Sequence, residues 1–198
     1  MKVYLIRHGQ TDLNLQGKYY GSLDPLLNEE GIKEIEKVRD EINKINFDRV
    51  YSSSSRRCLQ SLKICGEDLY KRAEIHRELS EINFGIFEGK TYKEISKLYP
   101  EDTRKWEDDW MNFCPPGGES FIDFYKRVTY IWKEIIGCQA QNILIMAHSG
   151  TIKSIFSHVM DDNPGLFWNF MVSNASINII GYDYGNLYIE GINKEVLE

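Results

Sequence analysis

The sequence has little of three things: long apolar runs, paired cysteines and excess positive charge. No apolar stretch approaches the roughly 18–20 residues that a membrane-spanning helix needs. The apolar segment near the N-terminus is interrupted by Arg7 and is too short for the hydrophobic core of a signal peptide. We therefore expect a soluble, cytoplasmic protein that does not insert into a membrane.

The four cysteines are scattered along the chain and include no C-x-x-C pair. Two of them, Cys58 and Cys65, fall at apolar positions of a predicted helix, where a thiol packs like a small apolar side chain. Buried free thiols are therefore favoured over disulfides or metal ligation. This pattern is typical of a reducing compartment.

The net charge is −6 at pH 7. Nucleic-acid-binding proteins usually present a basic face, so we expect no nucleic-acid partner. A small anionic substrate is compatible with this charge, because the field of surface carboxylates is largely screened beyond about 8–10 Å.

Short apolar runs alternate with helical patterns along the 198 residues, which fit one domain spanning the chain. This alternation predicts an α/β fold with a mostly parallel central sheet. A small helical cap is expected as an insertion between Gly89 and Gly118. Strands are predicted at 2–6, 49–52, 74–79 and 142–147, and a terminal hairpin at 177–180 and 187–189. Helices are predicted to begin at Asn28, after the serines at 52–55 and at Ser120. Two more are predicted, one over 91–99 and one that ends at Val159.

Charged side chains follow three of the predicted strands. The first strand leads into Arg7-His8-Gly9, the second into serines and Arg56-Arg57, and the strand at 142–147 into His148-Ser149-Gly150. Ligands bind beyond the carboxyl ends of parallel strands, so we expect these side chains to meet at one edge. Guanidinium groups bind phosphate bidentately, and helix N-termini add N–H donors. The sequence therefore predicts a pocket for a compact phosphate group.

A histidine in such a pocket can do more than hold phosphate. A neutral imidazole can attack phosphorus and carry the phosphoryl group, and neighbouring cations disfavour the imidazolium form. The leaving alkoxide needs a general acid. The candidates are Glu81 and Glu88 in LSEINFGIFEGKTY, where apolar surroundings favour a protonated carboxyl group. The acidic run at 107–110 indicates a solvated surface rather than a metal site.

Four segments in this order, LIRHGQTDLN, SSSSRRCLQS, LSEINFGIFEG and MAHSG, resemble the histidine phosphatase superfamily, the phosphoglycerate mutase-like proteins. The resemblance runs across nearly the whole chain. It implies a three-layer α/β/α sandwich, a phosphohistidine intermediate, and no metal or other cofactor. By this resemblance, His8 is the nucleophile, Glu81 the proton donor and Glu88 a loop carboxylate. The implied phosphate pocket holds Arg7, Arg57 and His148, with further substrate contacts from Asn14, the backbone near Gly21 and Ser149.

The second segment departs from the family pattern. Relatives often have a Ser-Pro pair where Ser53-Ser54 stands, and two adjacent arginines follow here. Counting from the serines aligns Arg57 with the family's arginine. Arg56 is then expected to point away from the pocket.

A phosphatase acting on a small phosphorylated metabolite is favoured over a mutase, because mutases of this family carry longer insertions around the site. Segments 106–128 and 163–172 resemble the α-ribazole phosphatases, which act on a nucleotide-loop precursor of cobalamin. Their aromatic rings can stack on a benzimidazole-like base, and they can equally be core. The alternatives are a broad-specificity phosphatase and one for sugar phosphates or phosphoglycerate. Exposed aromatics near the cap also offer a homodimer contact.

Two further functions are weaker alternatives. An esterase with Ser149 as nucleophile is disfavoured, because AHSGT lacks both glycines of the G-x-S-x-G elbow. A phosphate-sensing protein without turnover is expected to lack the nucleophile or the acid, and this chain has both His8 and Glu81. His76 and His158 lack such neighbours and are expected to be structural or surface residues.

Overall fold

Six strands form one sheet in the computed structural model, which describes residues 1–194. The strands are β1 (Lys2–Arg7), β2 (Arg49–Ser53), β3 (Glu74–His76), β4 (Asn142–Ala147), β5 (Ile177–Asp183) and β6 (Asn186–Lys194). Their order across the sheet is β3-β2-β4-β1-β5-β6. The first four strands in this order are mutually parallel, and β5 runs antiparallel to both of its neighbours, β1 and β6. The predicted mostly parallel sheet and terminal hairpin are both confirmed.

Helices cover the sheet and connect its strands. They are α1 (Asp12–Leu15), α2 (Glu29–Ile42), α3 (Arg56–Cys65), α4 (Glu67–Lys71), α5 (Tyr92–Leu98), α6 (Pro100–Asp108), α7 (Phe121–Ile136) and α8 (Ser149–Val159). Three short 3₁₀ helices lie at Arg77–Leu79, Gly85–Phe87 and Pro164–Asn169. Within residues 1–194, no helix is long and apolar enough to cross a membrane.

Alternate residues of β1 point into two separate cores. Val3 and Leu5 pack in a cluster with the apolar faces of α7 and α8, whereas Tyr4 and Ile6 pack in a cluster with those of α2 and α3. Successive strand residues face opposite sides, so a strand covered by helices on both faces is apolar throughout. The result is the three-layer α/β/α arrangement.

Two details of the prediction were wrong. The strand expected over 74–79 has three residues and passes into the 3₁₀ helix at Arg77–Leu79. The segment 9–27, expected to be a loop, contains α1, which is closed by a capping box between Thr11 and Asn14. The helix predicted over 91–99 is confirmed as α5, and Pro100 follows as the first residue of α6, because proline fits the first turn of a helix.

Candidate active site

Three neighbouring parallel strands bring the predicted side chains to one edge of the sheet. β2, β4 and β1 lie side by side and end at the serines, at Ala147 and at Arg7. A glycine follows His8 because the chain passes close to α2 there: a Cβ on Gly9 would overlap the Gly31 carbonyl. The absence of a side chain at Gly9 therefore lets the loop after His8 pack against a helix.

The His8 ring is buried and has one defined tautomer. Its Nδ1 lies 2.8 Å from the Gly9 carbonyl oxygen, which can only accept a hydrogen bond. Nδ1 therefore carries the proton, and Nε2 keeps a lone pair. Burial, followed by the charges of Arg57 and Arg7, holds the pKa of His8 well below 6.5. The ring is thus neutral at pH 7, which is the form that can act as a nucleophile.

The guanidinium group of Arg57 is fully buried and is anchored on one side. It donates to the carbonyls of Gly21 and Leu23 at 3.2 and 3.0 Å, and to the Asp24 carboxylate at 3.3 Å. Among the described residues, the Nε atoms of Arg7 and Arg57 are buried without a hydrogen-bond partner. Buried unpaired N–H donors are costly, and both arginines line the same cavity as His8. The charges of the two guanidinium groups would stabilise an anion in this cavity.

The adjacent arginines point in opposite directions, as the spacing predicted. Arg57 is buried, whereas Arg56 is exposed and uses its backbone N–H to bind Asp24. The first turn of α3 therefore places only Arg57 in the cavity wall.

His148 lies beside His8 rather than on the cavity wall. Its ring is fully buried, 5.2 Å from the His8 ring between centroids and inclined by 67°. Its Nε2 lies 2.8 Å from the Ser53 hydroxyl and 3.5 Å from the Cys58 thiol. Burial and the neighbouring Arg57 hold the pKa of His148 well below 6.5. His148 thus packs against the His8 ring as a neutral ring.

Glu81 faces His8 across the cavity floor and is held by backbone amides. Its Oε2 accepts from the Gly150 N–H at 2.9 Å, and its Oε1 accepts from the Ile82 N–H at 3.0 Å. Gly150 is the second residue of α8, so the carboxylate lies against a helix N-terminus. Both Glu81 and His8 line the cavity.

The Glu88 carboxylate does not lie where it could act as a second acid. Its carboxylate accepts from the backbone N–H groups of Gly21, Ser22 and Leu23 at 3.0, 2.7 and 2.6 Å, and from Phe84 at 3.2 Å. It therefore ties two loops together and lies outside the cavity wall. The backbone N–H of Gly21, expected to contact phosphate, is occupied by this carboxylate.

Asn14 and Ser149 do lie on the cavity wall. The side-chain oxygen of Asn14 accepts from the Tyr20 hydroxyl at 2.8 Å and from the Asn174 amide at 3.2 Å. Because the side-chain oxygen is occupied, the Asn14 amide N–H₂ is the group left to donate hydrogen bonds to other partners. The sequence prediction missed Tyr20, whose ring stacks under the Arg57 guanidinium at 4.8 Å.

The cavity above this floor has a volume of about 300 Å³ and aromatic walls. Three of the rings come from the segment 89–118, which contains α5 and α6, and two more come from the 3₁₀ helix at Pro164–Asn169. The rings of Trp110 and Trp168 lie 5.7 Å apart at 62°. The aromatic residues on the wall are Tyr19, Tyr20, Phe84, Trp106, Trp110, Phe113, Phe121, Phe167 and Trp168.

Lys153 is a cation of the cavity that the sequence prediction missed. It lies one turn after Ser149 on α8, and its Nζ lies 5.3 and 5.4 Å from the ring centroids of Phe167 and Trp168. Burial lowers its pKa. Within residues 1–194 no carboxylate forms an ion pair with it. The helical spacing of four from Ser149 is the signal that would have found it.

The sequence profile of the histidine phosphatase superfamily (branch 1) matches residues 3–195, and this chain belongs to that family. It is 30% identical to phosphoserine phosphatase 1 of Hydrogenobacter thermophilus over 184 residues, 91% of this chain and 86% of the relative. It is 27% identical to the adenosylcobalamin/alpha-ribazole phosphatase of Salmonella typhimurium over 198 residues, 100% of this chain and 98% of the relative.

A solved structure shows the same architecture. The alpha-ribazole phosphatase from Shigella flexneri superposes with a TM-score of 0.90 at 26% identity, over 98% of this chain and 96% of that one. The fold is therefore that of the phosphoglycerate mutase-like proteins. Family and relatives together identify this chain as a phosphatase.

Proposed function

We propose that this phosphatase hydrolyses α-ribazole 5′-phosphate, through a phosphohistidine on His8. The observation that carries the proposal is the shape of the cavity: a cationic floor around His8 opens into aromatic walls. A sugar phosphate that carries a flat aromatic base would place its phosphate on the cationic floor and its base against the aromatic walls. Relatives named alpha-ribazole phosphatase support it.

In the first step, Nε2 of His8 attacks phosphorus and the bond from phosphorus to the ester oxygen breaks. Glu81 gives its proton to that oxygen, so the nucleoside leaves as an alcohol. Arg7 and Arg57 stabilise the charge on the three remaining phosphoryl oxygens. Because the pKa of His8 is depressed, its lone pair is free at neutral pH.

In the second step, water attacks phosphorus and the bond to Nε2 breaks. The Glu81 carboxylate takes the proton from the water, which restores the acid for the next cycle. His8 returns as a neutral imidazole, and inorganic phosphate is released. His148, packed edge-on against His8, limits rotation of that ring during both steps.

The aromatic walls supply the base recognition. Trp168 is 61% exposed, which is unusual for tryptophan; one edge contact joins its ring to that of Trp110, and its exposed surface lies on the cavity wall. A benzimidazole ring has the size and flatness to stack there, and stacked pairs contribute about 0.5–1.5 kcal/mol beyond area burial.

A second candidate substrate class is a phosphate ester that carries a carboxylate, such as phosphoserine. The observation that favours it is Lys153, an ammonium group on the cavity wall that is without an ion-pair partner among the described residues. A relative is named phosphoserine phosphatase. α-Ribazole phosphate offers Lys153 no second anion, so this residue separates the two classes.

The experiment is a kcat/KM panel in EDTA with α-ribazole 5′-phosphate, phosphoserine, 3-phosphoglycerate, fructose phosphates and p-nitrophenyl phosphate. We expect α-ribazole phosphate to be preferred by about 100-fold. Trp168→Ala should lower that preference by about 2- to 10-fold. Tyr130→Ala, which truncates another exposed aromatic, is the matched control and should change nothing.

Two outcomes contradict the proposal. If phosphoserine is preferred and Lys153→Met removes that preference, the substrate class is the carboxylate-bearing one. If the profile is flat, the enzyme has broad specificity and the aromatic walls do not select a base.

A further inference from the structure

The segment that carries Glu81 has little regular structure of its own. It runs between the 3₁₀ helices at Arg77–Leu79 and Gly85–Phe87, and residues 81–84 belong to no helix or strand. A catalytic carboxyl group must be held within a fraction of an ångström of its working position. Its placement therefore depends on contacts from outside the segment.

Arg127 of α7 makes those contacts with all five of its N–H donors. Nη1 donates to the carbonyls of Glu78 and Ser80 at 2.9 and 2.8 Å. Nη2 donates to the carbonyl of Glu81 itself at 3.1 Å and to Oε1 of Glu119 at 2.6 Å. Nε completes a bidentate pair with Oε2 of Glu119 at 2.9 Å.

Glu119 extends the same anchor to the other side of Glu81. Its Oε1 accepts from the backbone N–H of Asn83 at 2.9 Å, and its own backbone N–H donates to the Asn83 carbonyl at 3.0 Å. The Arg127–Glu119 pair therefore hydrogen-bonds to the main chain on both sides of residue 81. The guanidinium rests on the buried ring of Phe124, 4.8 Å from its centroid, which fixes it to the core.

We propose that Arg127 is a positioning residue for catalysis: its guanidinium sets where Glu81 stands relative to the ester oxygen. The proposal rests on the proposed role of Glu81 as proton donor, and not on the identity of the substrate. Arg127 does not line the substrate cavity itself; it is bonded to the Glu81 segment and to Glu119, which does line it. Three of its hydrogen bonds are to main-chain carbonyls, so they do not depend on which side chain stands at position 81.

A lysine at position 127 cannot make the same set of hydrogen bonds. An ammonium has three donors around a point, whereas the five donors of guanidinium are fixed in one plane that matches three carbonyls and a carboxylate. Arg127→Lys keeps the charge and the ion pair with Glu119, but it loses some of the hydrogen bonds to the main-chain carbonyls. It therefore tests geometry rather than charge.

The experiment compares kcat for the best alkyl phosphate of the panel with kcat for p-nitrophenyl phosphate. The nitrophenolate leaves without protonation, so only the alkyl ester needs a well-placed acid. In Arg127→Lys we expect kcat for the alkyl ester to fall about 10- to 100-fold and kcat for the aryl ester to fall less than about threefold. KM and inhibition by inorganic phosphate should be unchanged. Arg72→Lys is the matched control, because Arg72 also holds a backbone carbonyl, that of Phe47, remote from the site.

The double variant Arg127→Lys/Glu81→Gln separates this proposal from the one it rests on. If Arg127 acts through Glu81, the double variant is no slower on the alkyl ester than Glu81→Gln alone. Equal slowing of both esters by Arg127→Lys, or additive losses in the double variant, would overturn the positioning role. If Glu81→Gln itself slows both esters equally, the assignment of Glu81 as the acid fails instead.

Discussion

The backbone nitrogen of Gly150 lies 2.9 Å from Oε2 of Glu81, and a Cβ at position 150 would overlap that carboxylate. The helix that begins after His148 thus carries the surface against which the acid rests. Glu81 and Gly150 are far apart in the chain, and this contact joins the segment of Glu81 to the helix that follows His148. A glycine at 150 is required by the close approach rather than by its backbone angles.

We predict that Gly150→Ala displaces the Glu81 carboxyl group. The expected result is a loss of about tenfold or more in kcat for alkyl phosphates, because a small misplacement of an acid is costly. The loss for p-nitrophenyl phosphate should be smaller. Gly137→Ala is the control, since a Cβ at Gly137 would meet only ordinary contacts at the end of α7. Full activity of Gly150→Ala would show that the contact does not place the acid.

Arg57 and its neighbour Arg56 provide a matched pair for phosphate binding. Charged hydrogen bonds contribute about 1.5–3 kcal/mol each, so Arg57→Met should weaken inhibition by inorganic phosphate about 10- to 100-fold. Arg56→Met removes the same charge from an exposed side chain and should stay within about threefold. The measurement is the inhibition constant, with thermal melting as a check of folding. The reverse ranking would show that the sequence register was wrong.

The two buried histidines predict how stability depends on pH. Burial depresses the pKa of His8 and His148 well below 6.5 in the folded protein. The unfolded chain therefore binds more protons as the pH falls below about 6.5. Stability from these groups is complete above that pH and decreases below it, by about 1.4 kcal/mol per pH unit for each histidine.

Denaturant unfolding between pH 7.5 and 5 measures this dependence. We expect the slope of unfolding free energy against pH to become shallower in His8→Gln, because that variant removes one of the two titrating groups. His76→Gln, at a partly exposed position, should leave the slope unchanged. An unchanged slope in His8→Gln would mean that the histidine is not held neutral by the fold.

The sequence predicted the floor of the site because periodicity located the ends of the strands. Arg7, His8 and Arg57 each lie at or just after the end of a short apolar strand, and parallel strands bring such residues to one edge of the sheet. The choice of Arg57 over Arg56 came from aligning the serines with the pattern of the family that the sequence resembles. These are local patterns, and the sheet only had to bring them together.

Contacts made by main-chain atoms were beyond sequence analysis. Glu88 binds three successive N–H groups of a loop that is far away along the chain, and Arg127 binds carbonyls, and neither partner leaves a side-chain signature. Composition and spacing did not distinguish the two glutamates of one segment; only the family resemblance did, and the structure places them differently. Only tertiary packing shows that Glu81 faces the cavity and Glu88 closes a loop.

The most direct test of the account is to trap the phosphoenzyme by rapid quench with a ³²P-labelled phosphomonoester, and to map the label. We predict an acid-labile, base-stable phosphohistidine on the peptide that contains His8, with phosphorus on Nε2, because Nδ1 is committed to the Gly9 carbonyl. His8→Ala should give no label and no turnover. Label on another residue, attachment at Nδ1, or turnover that persists in His8→Ala would contradict the account.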